Sequence, residues 1–364
     1  MIQLAGKNDL STQWLSAGLD KVSACFAQEL TSDLDCVNEL VGHVEQYRGK
    51  MLRPTLVLSA AAAAVGFDGR GDGENRGDGQ DRGLSQQMAS LVTLATVTEM
   101  VHMATLVHDD ILDDADMRRR GATINYLRGN ESAVMLGDYL ISHSYHLCTS
   151  LGRPEISRQI AQTTNTVCEG ELLQLANRNH WELDEATYFE IIRRKTAVLT
   201  AACCRLGGVL AGADEAVVQA LNDYGMKLGV AFQIIDDVLD LTGDTDSVGK
   251  TLGRDLAKGK LTLPLIHFLA AAPDDQRAQA IEWLNAAERS AAELNTSEGG
   301  GEKARQAAES LTQMVLAGDG LTYSKGAAER LVEEAKQDII RHLPDSEMRS
   351  LLLVMADRVI SRDR

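Results

Sequence analysis

The chain has 364 residues, of which 36 are Lys or Arg and 53 are Asp or Glu, for a formal net charge of −17. That balance opposes long-range attraction to nucleic acid and leaves any useful positive charge to local groups. With five prolines, abundant alanine and apolar positions recurring at three and four through most segments, the sequence predicts an all-α protein without a sheet.

From the amino terminus onward, no basic stretch followed by an apolar one marks a signal peptide. The longest apolar stretch, Leu56 to Phe67, covers 12 residues and includes Ser59 and Gly66, which is too short to span a bilayer. Asp68 to Gly83 is glycine-rich, charged and without apolar residues, and predicts a flexible insertion between helices; its two Arg-Gly-Asp triplets are read as part of a solvated loop. Asn295 to Lys303, with Gly299-Gly300-Gly301, predicts a second surface loop. Cys25, Cys36, Cys148, Cys168, Cys203 and Cys204 lack metal-ligand spacing and predict free thiols in a reducing, cytoplasmic compartment. No stretch reads as a boundary between separate cores, so residues 1–364 are expected to form one helical domain.

Two aspartate clusters stand out against this background: Asp109-Asp110-Ile111-Leu112-Asp113 and Asp236-Asp237-Val238-Leu239-Asp240. On a helix, the first and last aspartates of each cluster stand one turn apart on one face. Carboxylates so crowded raise each other's pKa unless a cation neutralises them, and oxygen-only ligands suit a hard divalent ion, Mg2+ above all. Mg2+ shares its remaining positions with water and phosphate, so two clamps suggest a diphosphate held by several metal ions. The other reading of an aspartate run is a solvated helix face. Leu106, Val107, Ile111 and Leu112 around the first cluster, and Val230, Phe232, Ile234, Ile235, Val238 and Leu239 around the second, argue against it, because buried carboxylates need partners.

Further blocks accompany the clusters in order: Gly49-Lys50-Met51-Leu52-Arg53-Pro54; His102 before His108; Asp116-Met117-Arg118-Arg119; Gly137-Asp138; Gly170-Glu171; Lys195-Thr196-Ala197; Phe232-Gln233 before the second cluster; and Gly249-Lys250 through Asp255 to Gly259-Lys260. Together they resemble the trans-isoprenyl diphosphate synthase (polyprenyl synthetase) family, and within it medium- to long-chain members such as octaprenyl and heptaprenyl diphosphate synthases. The resemblance spans roughly residues 45 to 265 and is weaker beyond. It implies an isoprenoid synthase-type helical bundle around a central cavity, a homodimer, and head-to-tail condensation of isopentenyl diphosphate with an allylic diphosphate.

The same resemblance assigns roles. Asp109 and Asp113 would hold two Mg2+ ions and Asp236 a third, with Asp240 and Asp255 in support, while Asp110 and Asp237 point off the clamp face. Arg118, Lys195, Lys260 and Lys250 match the allylic diphosphate site. Lys50, Arg53, Arg119 and His102 match the isopentenyl diphosphate site, and Thr196 and Gln233 could orient the allylic group. His108 reads as structural. The chain has Arg118-Arg119-Arg120-Gly121 where the family has Arg-Arg-Gly; a register shifted by one would make Arg119 and Arg120 the ligands.

The resemblance implies that released diphosphate serves as base for the last deprotonation, and the absence of a His or Glu block reserved for that step is consistent with it. Upstream of the first cluster, Ala104 and Thr105 occupy positions where bulky side chains stop chain growth in the family, and Val101 and Thr98 on the same face are also modest. A product of about C30 to C40 is therefore expected, at about one isoprene unit per helical turn, with geranylgeranyl or farnesyl diphosphate as the alternative. Met135 or Tyr139 could instead set the tunnel floor. Other readings are a terpene cyclase, whose second metal motif typically mixes Asn, Ser or Thr with Glu, a non-catalytic subunit of a heteromeric synthase, and a helical protein using the aspartates only as surface charge.

Overall fold

The computed structural model describes residues 10–45, 49–67, 80–118, 121–242, 255, 258–293 and 300–362. The chain divides into two compact units. The first comprises Met1–Asn165, Leu199–Gly225 and Gln337–Val354; the second comprises Thr166–Val198, Met226–Lys336 and Met355–Arg364.

The first unit is built on α1 (Leu10–Glu29), α2 (Asp35–Glu45), α3 (Leu52–Ala64), α4 (Gln80–Leu112) and α5 (Ile124–Thr149). In α1 the buried positions Ser11, Leu15, Gly18, Val22 and Phe26 recur at three and four, the stripe of a helix with one face against a core. Helix α3 is buried from Pro54 through Ala64, and its alanines let neighbours approach closely. Pro54 sits in the first turn, where backbone N–H groups have no intrahelical acceptor to lose. Helix α8 (Val198–Leu210) meets α3 at a glycine: a Cβ on Gly207 would lie 2.5 Å from the Val57 carbonyl oxygen. Tyr224, fully buried, donates to the Leu352 carbonyl at 2.7 Å and ties distant chain segments of this unit together.

Helix α4 has 33 residues and by its 1.5 Å rise is about 50 Å long. Gln86–Leu112 within it is long and apolar enough to cross a membrane by length and composition, a segment missed when only unbroken apolar runs are counted. Of its most apolar window, 72% is buried inside the protein, as expected of a core helix. Helix α4 begins at Gln80 and a later helix at Gly300, so the last four residues of each expected loop, 80–83 and 300–303, are helical. Residues 68–79 and 294–299 lie outside the described residues. After α4, Met117–Arg118 and Gly121–Ala122 form a two-residue antiparallel ladder, β1 with β2, the only departure from an all-helical architecture among the described residues.

The second unit contains α7 (Glu185–Ile192), a π-helical turn at Arg193–Ala197, α10 (Leu263–Ala271), α11 (Asp274–Glu293) and α12 (Gly300–Ala317). Parts of α6 (Pro154–Ala176), α9 (Glu215–Thr242), α13 (Gly320–His342) and α14 (Glu347–Ile360) belong to it as well. Asp184 caps α7 by accepting from the Thr187 N–H at 2.7 Å. Arg277 donates to the Leu269 and Ala272 carbonyls at 2.7 and 3.1 Å, satisfying acceptors at the end of α10.

Candidate active site

Each aspartate cluster lies at the C-terminal end of a long helix, the first on α4 in the first unit and the second on α9 in the second. Asp109 and Asp113 are half-buried. Helix α4 ends at Leu112, yet the Asp113 N–H still donates to the Asp109 carbonyl at 2.8 Å, which preserves the one-turn spacing. Asp114 then takes a left-handed φ of 45° and turns the chain out of the helix. Asp110, 3% exposed, faces inward and accepts from Arg118 Nε at 2.8 and 3.1 Å and from its Nη2 at 2.8 Å. The middle aspartate therefore anchors a cation of the expected diphosphate site.

The second cluster repeats this division. Asp236 and Asp240 are half-buried, one turn apart, whereas Asp237 is 4% exposed. Asp237 accepts from the Tyr188 hydroxyl at 2.6 Å and from Gln233 Nε2 at 2.8 Å. Gln233 Oε1 in turn accepts from Thr196 at 3.0 Å. Asp240 Oδ2 accepts from the Asp255 N–H at 3.2 Å, and the Lys260 N–H donates to the Asp255 carbonyl at 2.9 Å, so Asp255 links Asp240 to the buried Lys260. Lys195 Nζ donates to Gln174 Oε1 at 2.9 Å and pairs with Glu171, both on α6.

Burial raises the pKa of Asp236 to about 6 against the opposing pull of Arg362, which donates to its Oδ1 at 2.9 Å. Loss of hydration and the charge of Asp255 push Asp237 up as well, and burial beside Asp237 keeps the Tyr188 phenol well above its ordinary value. A carboxylate site whose charge is this costly favours an added cation. Among the described residues of either unit, no three His, Cys, Asp or Glu side chains converge as a cage. Paired carboxylates with oxygen-only donors instead fit Mg2+, which keeps several waters and completes its shell with substrate phosphates.

The other expected residues are distributed as follows. Lys50 is exposed, Arg53 is half-buried in the first turn of α3, and His102 is half-buried on α4. Loss of hydration lowers the pKa of Arg53, while the charge of buried Glu99 raises it. Arg53 Nε is buried without a hydrogen-bond partner, an unmet donor beside the expected isopentenyl diphosphate site. Val101, Ala104 and Thr98 are fully buried, and the half-buried Thr105 donates to the His102 carbonyl at 2.8 Å. Met135 is 64% exposed in the single chain, and Tyr139 is half-buried. His108 faces α5, 3.2 Å from the Val134 carbonyl and 3.6 Å from Asp138, in keeping with a structural role. Arg119, Arg120 and Lys250 lie outside the described residues.

Four partners have no counterpart in the sequence reading: Glu99, Gln174, Tyr188 and Arg362. Glu99 carried a signal, being a lone acid in the apolar run Val97 to Val101.

Comparison with known proteins decides the family. The polyprenyl synthetase family model matches residues 35–297. This chain belongs to the polyprenyl synthetase family. It is 34% identical over 359 residues to octaprenyl diphosphate synthase of Escherichia coli K12, covering 98% of both chains. A decaprenyl diphosphate synthase structure from Rhodobacter capsulatus superposes with a TM-score of 0.80 at 33% identity, over 97% of this chain and 98% of that one. A polyprenyl synthase from Caulobacter crescentus CB15, solved with calcium and isoprenyl diphosphate, gives 0.80 at 29% identity over 99% and 100%. The fold is accordingly the all-α isoprenoid synthase fold of this family.

Proposed function

We propose that this polyprenyl synthetase is a trans-prenyltransferase that condenses isopentenyl diphosphate with an allylic diphosphate and extends the product to about C30 to C40, one unit per helical turn of tunnel. The observation that carries the reading is the shared division of labour in the two clusters. In each, the middle aspartate is buried and held by protein side chains, and the outer two stand half-buried one turn apart, Asp236 beside Arg362 and Asp240 beside the Asp255 N–H. Asp109 and Asp113, with Asp236 and Asp240, would hold Mg2+, three ions in all. A related structure that contains calcium and isoprenyl diphosphate supports a divalent ion beside a substrate of this type. Bound Mg2+ would neutralise the charge that develops on diphosphate as the allylic C–O bond breaks.

The protein's own residues carry the rest of this reading. Arg118, Lys195 and Lys260, with Lys250, hold the allylic diphosphate and stabilise it as it leaves. Lys50, Arg53, Arg119 and His102 hold isopentenyl diphosphate without ionising it. Thr196 and Gln233 orient the allylic group. The double bond of isopentenyl diphosphate then supplies the electron pair for the new carbon–carbon bond, and the departed diphosphate takes the proton that leaves the resulting cation. Small side chains at Val101, Ala104 and Thr105 favour a long product, as does the likeness to octaprenyl and decaprenyl synthases. Exposed Tyr126, Leu127, Val134 and Met135 on α5 support a homodimer, and free thiols at all six cysteines support a reducing cytoplasm.

The test is a split in kinetics. Lys50→Ala and Arg53→Ala are expected chiefly to raise the KM for isopentenyl diphosphate, and Lys195→Ala chiefly to impair reaction of the allylic substrate. If all three altered the same substrate's kinetics, the division of sites would be wrong.

A further inference from the structure

Tyr188 has no place in the substrate chemistry, yet it is 3% exposed and its hydroxyl meets Asp237 at 2.6 Å. This bond joins α7 to α9. A second bond runs from Thr196 on the π-turn to Gln233 at 3.0 Å, and Gln233 closes the circuit on Asp237 at 2.8 Å. Gln233 and Asp237 are four residues apart and share a face of α9. Tyr188 and Thr196 are eight apart, and two regular α-turns take about 7.2 residues, so a regular helix would place Thr196 about 80° away from Tyr188. The π-turn at Arg193–Ala197 inserts one residue, which brings two turns to about 8.2 residues and returns Thr196 to the face of Tyr188. Eight residues rise about 12 Å against about 6 Å for four, so one of the two donors must be long. A tyrosine meets that need. Lys195 sits on this same turn, and α6 approaches it at Gly170, where a Cβ would lie 2.5 Å from the Lys195 nitrogen.

We infer that Tyr188 is a positioning residue: through Asp237 it fixes the rotation of α9 that presents Asp236 and Asp240, in register with the π-turn bearing Lys195 and Thr196. The inference rests on the reading of Asp236 and Asp240 as metal ligands. Partners that orient ligands typically change metal affinity about 10- to 100-fold when removed.

The test is Tyr188→Phe, which keeps the ring and removes only the hydroxyl. Calorimetric titration of Mg2+ in the presence of saturating inorganic diphosphate should show affinity lowered about tenfold. The KM for the allylic diphosphate should rise while that for isopentenyl diphosphate stays within about twofold, a split that general loosening of the fold would not produce. Tyr188→Phe/Asp237→Ala should bind Mg2+ no more weakly than Asp237→Ala alone, because the hydroxyl acts through that carboxylate. Unchanged Mg2+ affinity in Tyr188→Phe, equal shifts in both KM values, or additive losses in the double variant would overturn the inference. Asp236→Ala is the control. If it too leaves Mg2+ affinity unchanged, the metal assignment fails and the inference falls with it; if it weakens binding and Tyr188→Phe does not, the inference alone is wrong.

Discussion

Arg362 donates to Asp236 at 2.9 Å while its guanidinium lies 4.3 Å from the centroid of the Phe232 ring, one turn earlier on α9. A side chain two residues from the end of the chain thus supplies positive charge to an aspartate read as a metal ligand. Arg362→Gln should lower the melting temperature of the metal-free protein by about 1 to 2 °C, the size set by a partly exposed ion pair of about 1 kcal/mol. The deficit should shrink when Mg2+ and diphosphate are added, since the metal then supplies the charge. Scanning fluorimetry with and without both additions checks this; an equal deficit in the two conditions would count against it.

Two glycines separate stability from activity. A Cβ on Gly207 would press on the Val57 carbonyl, and one on Gly170 would press on the Lys195 nitrogen, each at 2.5 Å. Both are backbone contacts, so neither can be relieved by a side-chain rotation. Gly207→Ala should cost about 1 to 3 kcal/mol of stability and leave both KM values near normal. Gly170→Ala should carry a similar stability cost and also raise the KM for the allylic diphosphate, because it displaces Lys195. Denaturant unfolding together with steady-state kinetics distinguishes them, and indistinguishable kinetics would show that Lys195 does not depend on that approach.

Ala104 is fully buried on α4, five residues before Asp109. Ala104→Phe should shorten the dominant product to about C15 to C20, removing about one unit per helical turn closed off. The added ring should cost about 1 to 3 kcal/mol by overpacking. Condensation should persist. An unchanged product distribution would mean that the growing chain does not pass this residue.

The clusters were legible because carboxylates amid Ile, Leu and Val conflict with their surroundings, and the duplication made the conflict hard to dismiss. That Asp110 and Asp237 turn away from the clamp face also follows from helical spacing. Their partners did not, since Tyr188 lies 49 residues from Asp237 and Arg362 lies 126 from Asp236. Contacts that distant in sequence leave no periodic trace. The π-turn at Arg193–Ala197 was equally hidden, because Arg-Arg-Lys-Thr-Ala is compatible with an ordinary α-helix. By composition the two glycine-rich stretches look like loops to their ends. Helices in fact begin at Gln80 and Gly300, where glycine weakens a helix without forbidding one.

The most direct measurement is product sizing after the purified chain is incubated with isopentenyl diphosphate, an allylic starter and Mg2+, alongside Asp109→Ala and Asp236→Ala. The account predicts linear all-trans polyprenyl diphosphates of about C30 to C40 at one unit per helical turn, dependence on the metal, and turnover lowered by orders of magnitude in both folded variants. Cyclised hydrocarbon, no condensation by the intact chain, or near-normal turnover in either variant would contradict it.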